Sequence, residues 1–506
     1  MLKTLDAILN DLGLPLHTFP PTFAKTSSNS PGLRVVPLAP APKWPPDVTA
    51  IILNWSRLDN VIRIVSLLCG SWLDDTIAEV YVWNNSPQEL SKETFSKAQC
   101  DTRKLRIENS PQNLYFYARF LACTKVSTPY CFVQDDDYII LPEVIKTLRA
   151  RMQESLQSGI YLLPPHEHLL SRLRTTITPS GVHTGFAWLG HGAMIRKQRA
   201  LEFVSLLHHD CLAMNWEEIK MADNYFTILG NQVPEIWFDQ GIALGGGQPF
   251  TIGREGDERN RMHIENACRY LNQIIARQSS AAQLNNVRFT TELGFVDTSN
   301  NFEHHSQPFD RAPGLGTSFL IETNIKSLPK DTIPHSSTTT SSLLENEKRG
   351  AKSMGQNAIS HYQNHPLSFA VDGIPDTAFR SPRYAKQGDY ILIDVLSAVN
   401  INEIMAELVF LVSSDNKRIL QRCKFECSSA DGRDWFTSPH QLLCRPTIVM
   451  PGLPPDNQTG PVIECSVRME GGSARFFKAT VTEDICLPWV IFEVWVRWTS
   501  NSALQT

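Results

Sequence analysis

The stretch Tyr130-Cys-Phe-Val-Gln-Asp-Asp-Asp-Tyr-Ile-Ile140 decides how this chain is read. Tyr130 to Val133 is aromatic and β-branched without polar interruption, the composition of a buried strand. Asp135, Asp136 and Asp137 then emerge at its carboxyl end, the end where open α/β sheets bind ligands. Clustered carboxylates raise one another's pKa unless a cation neutralises them. A hard divalent ion, Mg²⁺ or Mn²⁺, suits oxygen ligands and bridges to phosphates. The triplet therefore reads either as a metal–diphosphate site or as a solvated acidic turn before the helix that begins near Leu141.

The residues upstream favour the first reading. Asp47-Val-Thr-Ala-Ile-Ile-Leu53 is a first strand, and Asn54-Trp-Ser-Arg57 a turn. Leu58, Val61, Ile62, Val65 and Leu68 follow at helical spacing. Glu79-Val-Tyr-Val-Trp83 is a second strand, ended by the turn Asn84-Asn85-Ser86-Pro87. A helix carrying Phe116, Phe120 and Leu121 leads into the aspartate strand. Alternating strands and helices predict an α/β domain with a mostly parallel sheet. Arg57, Asn84, Asn85 and the aspartates then share one sheet edge.

These segments, in this order, resemble the exostosin-type glycosyltransferases. Val48-Thr-Ala-Ile-Ile-Leu-Asn-Trp-Ser-Arg57, Val80-Tyr-Val-Trp-Asn-Asn85 and Gln134-Asp-Asp-Asp137 match the family's three strand ends. Asn113-Leu-Tyr-Phe-Tyr-Ala-Arg119 resembles its Asn…Arg segment. His183-Thr-Gly-Phe-Ala187 through Gly192-Ala-Met194 resembles its acceptor-side strand. Asn215 to Phe226 resembles its acidic helix. The resemblance covers about the first half of the chain, with Asn54-Trp55 where Thr-Tyr is common and Met221-Ala222-Asp223 in place of Cys-Glu-Asp.

The resemblance implies a GT-A type fold and a metal-dependent, retaining transfer of a hexose or N-acetylhexosamine. The donor implied is a nucleotide-sugar, a UDP-sugar first, and the acceptor a glycan, glycoconjugate or other hydroxyl compound. It makes Asp137 the direct metal ligand, with Asp135 and Asp136 toward ribose or sugar, and Asp135 a second candidate ligand. It sets Asp223 against the acceptor and the anomeric centre, although an acid in a first helical turn also serves as a dipole partner. Arg57 and Arg119 suit diphosphate, because a guanidinium offers planar charged donors. Asn84, Asn85 and Asn113 suit a base and ribose, and equally suit turns. Arg254, Arg261 and His263 follow Gly245-Gly-Gly247, where a lid over the diphosphate is expected. Arg261 is thereby a candidate catalytic cation and His263 a candidate third metal ligand. His166 and His168 read as surface residues.

A different arrangement follows. Residues 296–355 are polar, with His304-His305 and Ser336-Ser-Thr-Thr-Thr-Ser-Ser342. Beyond them come Phe369-Ala-Val-Asp-Gly-Ile-Pro-Asp-Thr-Ala-Phe-Arg-Ser381, Tyr390-Ile-Leu-Ile-Asp-Val-Leu396, Ser428 to Trp435, and Pro488 to Trp498. Short strands between turn signals predict an all-β sandwich. These segments resemble discoidin-like, galactose-binding jelly rolls. That resemblance implies a structural Ca²⁺ held by Asp372, Thr377 and Glu493, against a plain Asx turn. The expected layout is an extended arm over 1–46, the α/β domain over 47–285, a polar linker over 286–355 and the jelly roll over 356–506.

Composition bounds the rest. A chain of 506 residues, 42% hydrophobic and 20% charged, is expected to fold as more than one globular domain. A net charge of −5 gives no reason to expect nucleic acid. The eleven cysteines lack a Cys-x-x-Cys pair, so zinc ligation of that kind is unsupported. Met1 to Leu12 carries acids inside its apolar pattern, unlike a signal peptide, and no segment has the length to span a bilayer. Those features point to the cytoplasm, whereas the resemblance points to the Golgi and secretory route. A second function class stays open: a non-catalytic nucleotide- or glycan-binding protein whose jelly roll is the working module.

Overall fold

The structure is a computed structural model that describes residues 45–154, 159–178, 181–210, 212–239, 241–245, 253–279, 309–315, 318–328, 342–374, 376–402, 404–429, 432–446 and 461–500. The chain divides into two compact units. The expected N-terminal arm lies outside the described residues but for its last two positions, as do 246–252 of the expected lid.

The first unit opens with β1 (Val48–Asn54), the helix Leu58–Leu68 and β2 (Ile77–Asn84). Then come β3 (Leu105–Asn109), the helix Tyr117–Thr124, β4 (Tyr130–Gln134) and β5 (Tyr138–Ile139). The helix Pro142–Glu154, β6 (Gly159–Leu163), the helix Pro165–Leu173, β7 (Thr175–Ile177), β8 (His183–Gly185) and β9 (Ala193–Arg196) follow. After the helix Lys197–Leu207 come two short helices, Trp216–Lys220 and Asp223–Leu229, then β10 (Glu235–Phe238), β11 (Ile242–Ala243) and the long helix Arg254–Ser279.

The central sheet runs β10-β6-β9-β4-β1-β2-β3. All its pairings are parallel except those of β9 with β4 and β6. Its central strands are buried on both faces, which is why β1 and β4 read as continuous apolar runs instead of alternating ones. From β1 the chain goes to β2 and β3 on one side and returns to β4 on the other. The carboxyl ends of β1 and β4 therefore flank a topological switch point, where such sheets leave a crevice. Past β4, β5 pairs with β11, and the Leu244 N–H donates to Asp137 O at 2.7 Å.

Aromatic packing sets the helices that matter. Phe120, Phe203 and Phe226 sit with ring centroids 4.8 to 5.0 Å apart. They join the helices Tyr117–Thr124, Lys197–Leu207 and Asp223–Leu229. Ile264, Ala267, Leu271 and Ile274, at helical spacing, bury one face of Arg254–Ser279 in the same core.

The second unit holds two antiparallel sheets, the sandwich expected from the sequence. β12 (Asp310–Pro313) and β13 (Leu320–Thr323) come first. After them are β14 (Phe379–Ala385), β15 (Tyr390–Asn400), β16 (Ile404–Ser413), β17 (Cys423–Ser428) and β18 (Trp435–Thr437). β19 (Leu443–Pro446), β20 (Val462–Met469), β21 (Ser473–Val481) and β22 (Ile485–Ser500) complete it. The sheet orders are β12-β13-β15-β21-β17-β18 and β14-β22-β16-β20-β19. Inside, Arg475 Nε and Nη2 grip Asp394 at 2.6 and 2.7 Å.

The expected linker over 286–355 is corrected here. β12 and β13 lie within it and extend the sandwich, with Leu320 opposite Asp394 of β15. The helix Leu343–Asn364, broken at Gly355 with φ 73°, begins in the first unit. Leu343 and Leu344 enter that core, and Asn346 Nδ2 donates to Thr175 O at 3.0 Å and Thr176 Oγ1 at 2.7 Å. Strands of four residues among polar neighbours are too short to show a period. A fragment spanning 309–506 is expected to melt cooperatively above one spanning 356–506, because the shorter piece leaves β15 with an unpaired edge. Equal melting curves by circular dichroism would show that β12 and β13 are dispensable.

Cys69 pairs with Cys100 and Cys444 with Cys465. Among the described residues no helix is long and apolar enough to cross a membrane.

Candidate functional site

The switch point gathers two arginines and four aspartates. Arg57 stands just before the helix Leu58–Leu68, and its Nη1 lies 2.8 Å from Asp136 Oδ1 and 3.3 Å from Asp137 Oδ2. Arg119, on the helix Tyr117–Thr124, is 1% exposed. Its Nη2 donates to Asp135 Oδ1 at 2.6 Å, and its Nε lies 3.3 Å from Asp223 Oδ1. A buried cation thus ties the carboxyl end of β4 to the start of the helix Asp223–Leu229. The Asp135 N–H donates to Gly190 O at 2.8 Å. A Cβ at position 190 would fall 2.2 Å from Asp135 Oδ2, so any side chain there would push the Asp135 carboxylate aside.

Burial governs the charge states. It pushes the Asp223 carboxyl up to about 7, with Arg119 opposing and Asp135 adding. Asp137 is pushed up to about 6 by burial and then by Asp135, against Arg57. Asp136 is raised for the same reasons. Asp223 is not a helix cap: Ala222 holds the cap position, and the Asp223 side chain turns to Arg119.

Several expected site residues are placed otherwise. Asn84 is fully buried and ties strand ends together: Asn54 Nδ2 donates to its Oδ1 at 2.7 Å, and its Nδ2 donates to Asn109 Oδ1 and Gln88 O. Asn85 Oδ1 accepts from Leu114 N–H at 3.1 Å, and its Nδ2 donates to Tyr115 O at 3.3 Å. Asn113 Oδ1 accepts from Tyr115 N–H at 2.8 Å, in a turn where Tyr115 has φ 50°. These asparagines tie together the strand ends and the loops after β2 and β3, a use that turns make of asparagine.

The residues of the long helix are also corrected. His263 is 3% exposed, and its Nδ1 meets Tyr225 Oη at 2.7 Å beside the Glu218–Tyr270 pair. Among the described residues no three His, Cys, Asp or Glu side chains come together as a metal cluster. Arg261 lies 3.5 Å from Glu347, which Arg174 also holds at 2.7 Å, and Arg254 pairs with Glu258 one turn on. His168, read as a surface residue, is fully buried and stacks on Phe238 at 3.9 Å.

The sequence reading missed His191, beside Asp135, and Tyr138 and Asp239, which pack against His191. Tyr138 packs edge-on against His191 at 4.7 Å, and Asp239 Oδ2 lies 3.9 Å from His191 Nδ1. Burial pushes the His191 imidazolium down to about 4. Asp239 just after β10, Tyr138 opening β5 and His191 just before β9 were the available signal.

In the sandwich, Asp372 Oδ1 accepts from Ile374 N–H at 2.9 Å, and Asp372 Oδ2 lies 2.8 Å from Thr377 Oγ1. Burial pushes Asp372 up to about 7. Glu493 is raised by burial and then by the adjoining Asp372, and its Oε1 is buried without a hydrogen-bond partner among the described residues.

No protein-family model matches this chain, and no curated protein matches it. Among solved structures, a mannosyltransferase from Pyrobaculum calidifontis in complex with GDP-Man and Mn²⁺ is 11% identical over 49% of this chain and 68% of its own, with a TM-score of 0.28. The glucosyl-3-phosphoglycerate synthase of Mycobacterium tuberculosis with Mn²⁺, UDP and phosphoglyceric acid is 12% identical over 45% and 78%, with a TM-score of 0.28. CpGH89CBM32-5 from Clostridium perfringens, in complex with GalNAc-β-1,3-galactose, is 12% identical over 27% and 84%, with a TM-score of 0.19.

Proposed function

We propose that the first unit is a metal-dependent, retaining glycosyltransferase acting on a nucleotide-sugar, a UDP-sugar first, with a hydroxyl acceptor. The observation that carries this reading is Arg119, a buried cation joining Asp135 to Asp223 at the switch point. The crevice there suits a nucleotide diphosphate, and Arg57 faces it beside Asp136 and Asp137.

Two of these carboxyls are open enough to offer oxygen ligands to a divalent cation. Asp137 is held up near 6 and stays 31% exposed, and Asp135 is 30% exposed. Asp135 and Asp137 would hold the ion, and His263 is not proposed among its ligands. Bound there, the ion would neutralise charge developing on the leaving diphosphate. Arg57 then donates to the diphosphate oxygens. Asp223 carries the charge that matters at the reacting centre, stabilising a cationic sugar or taking the acceptor proton.

Calorimetry with UDP and Mn²⁺ tests the reading. Asp137→Ala is expected to abolish metal-dependent nucleotide binding with the fold retained. Unchanged affinity in that variant would remove the metal site. Nucleotide binding without any product from a donor and acceptor screen would favour the non-catalytic binding protein instead.

For the sandwich we propose a structural Ca²⁺ at Asp372, Thr377 and Glu493. Glu493 Oε1 has no hydrogen-bond partner among the described residues, and beside it Asp372 and Glu493 place two buried carboxyls together, a pair that a cation would neutralise. Asp372 ionises near 4 when unfolded and about 7 when folded, so the folded state holds the extra proton between those values. Without calcium, stability should fall as pH rises from about 4 to about 7. Millimolar calcium should raise the melting temperature more at pH 7.5 than at pH 5. A calcium response of the same size at both pH values would count against the site.

A further inference from the structure

The turn Gly190-His191-Gly192 brings the chain into β9 at the edge that carries Asp135, and the Asp135 N–H donates to Gly190 O at 2.8 Å. The His191 ring is held on two sides. Tyr138 packs against it with centroids 4.7 Å apart. Asp239, whose side chain is 3% exposed, places Oδ2 3.9 Å from Nδ1. Asp239 is itself fixed, since its Oδ1 accepts from Gly241 N–H at 2.6 Å.

The two ring nitrogens are in different surroundings. Nδ1 is sealed from solvent with no hydrogen-bond partner among the described residues. The side chain as a whole is 19% exposed, so its open edge is the other one. A neutral imidazole carries one N–H and one lone pair. A carboxylate beside Nδ1 favours the proton on that nitrogen, which leaves Nε2 as an acceptor on the open edge. An acceptor there repels phosphate oxygens, which have no proton to give, and takes a hydroxyl.

We propose that His191 is a substrate-contacting residue whose Nε2 accepts a hydrogen bond from a hydroxyl of the donor sugar, with Asp239 as the positioning residue that fixes its tautomer. The inference rests on the nucleotide-sugar reading above. It assigns the donor because His191 adjoins Asp135, on the side where the diphosphate would bind.

The test is calorimetry on the full chain with Mn²⁺, comparing UDP with UDP-glucose and UDP-N-acetylglucosamine, and GDP with GDP-mannose. The wild-type protein is expected to prefer one sugar nucleotide over its nucleoside diphosphate. In His191→Ala the nucleoside diphosphate should bind as before, while the preference for the sugar falls about tenfold. His191→Gln, whose side-chain oxygen can reach the Nε2 position, should keep part of the preference, and His191→Asn should not. An unchanged preference in His191→Ala overturns the inference. Should that variant fail to fold, equal preferences in the Gln and Asn variants overturn it. Absence of any nucleotide binding by the wild-type protein overturns the nucleotide-sugar reading itself, an outcome distinct from loss of the sugar preference alone.

Discussion

Replacing Asp223 by Asn is expected to leave UDP affinity nearly unchanged and to lower kcat on the order of a hundredfold or more. The amide keeps the size and part of the hydrogen bonding but loses the charge. A charge that serves the reacting centre matters mainly in the transition state, so the loss should appear in kcat and not in donor affinity. Wild-type turnover should rise as pH passes about 7, where burial has moved the Asp223 ionisation, and the Asn variant should lose that limb. Because Ala222 and not Asp223 holds the cap position, loss of a helix cap would not explain a fall in activity. Near wild-type turnover in the variant, with a small drop in melting temperature, would make Asp223 a structural partner of Arg119.

Arg119→Leu is expected to be the most damaging single change to the first unit. Arg119 is 1% exposed and pairs with Asp135 and Asp223, so its removal strips the counter-charge from both, one of them fully buried. Breaking one side of a buried ion pair costs roughly 3–5 kcal/mol. Asp223 would respond by holding its proton to higher pH, so the loss should shrink below neutral pH. Denaturant titrations of both proteins at pH 5.5 and pH 8 measure this directly. A cost under about 1 kcal/mol at pH 8, the range of an exposed pair, would contradict the buried network.

The sequence by itself determined the two architectures and the ends of the central strands. β1, β2 and β4 are legible because strands buried on both faces must be apolar throughout, and the turns that end them must be polar. The same logic marked Arg57 and Asp135 to Asp137 as neighbours, since strand ends of a parallel sheet share an edge. It determined the sandwich from β15 and β22, which are long enough to show their strand character, and from the turn signals between them.

Only the tertiary structure decided the rest. Asn84, Asn85 and Asn113 have the chemistry of ligands, yet backbone groups of the loops after β2 and β3 engage them. His263 and Arg261 follow a glycine run at a suggestive distance along the chain. Neighbouring helices engage them instead, through Tyr225 and Glu347. The strands β12 and β13 are recognisable only because β15 offers them an edge. Arg119 reaches Asp223 across 104 residues of chain because the helices bearing them meet through Phe120, Phe203 and Phe226. His191, Tyr138 and Asp239 converge from three elements, and no spacing along the chain encodes their meeting. Side-chain character is local and can be read in order, whereas the partner that claims a polar atom is set by packing between elements distant in sequence.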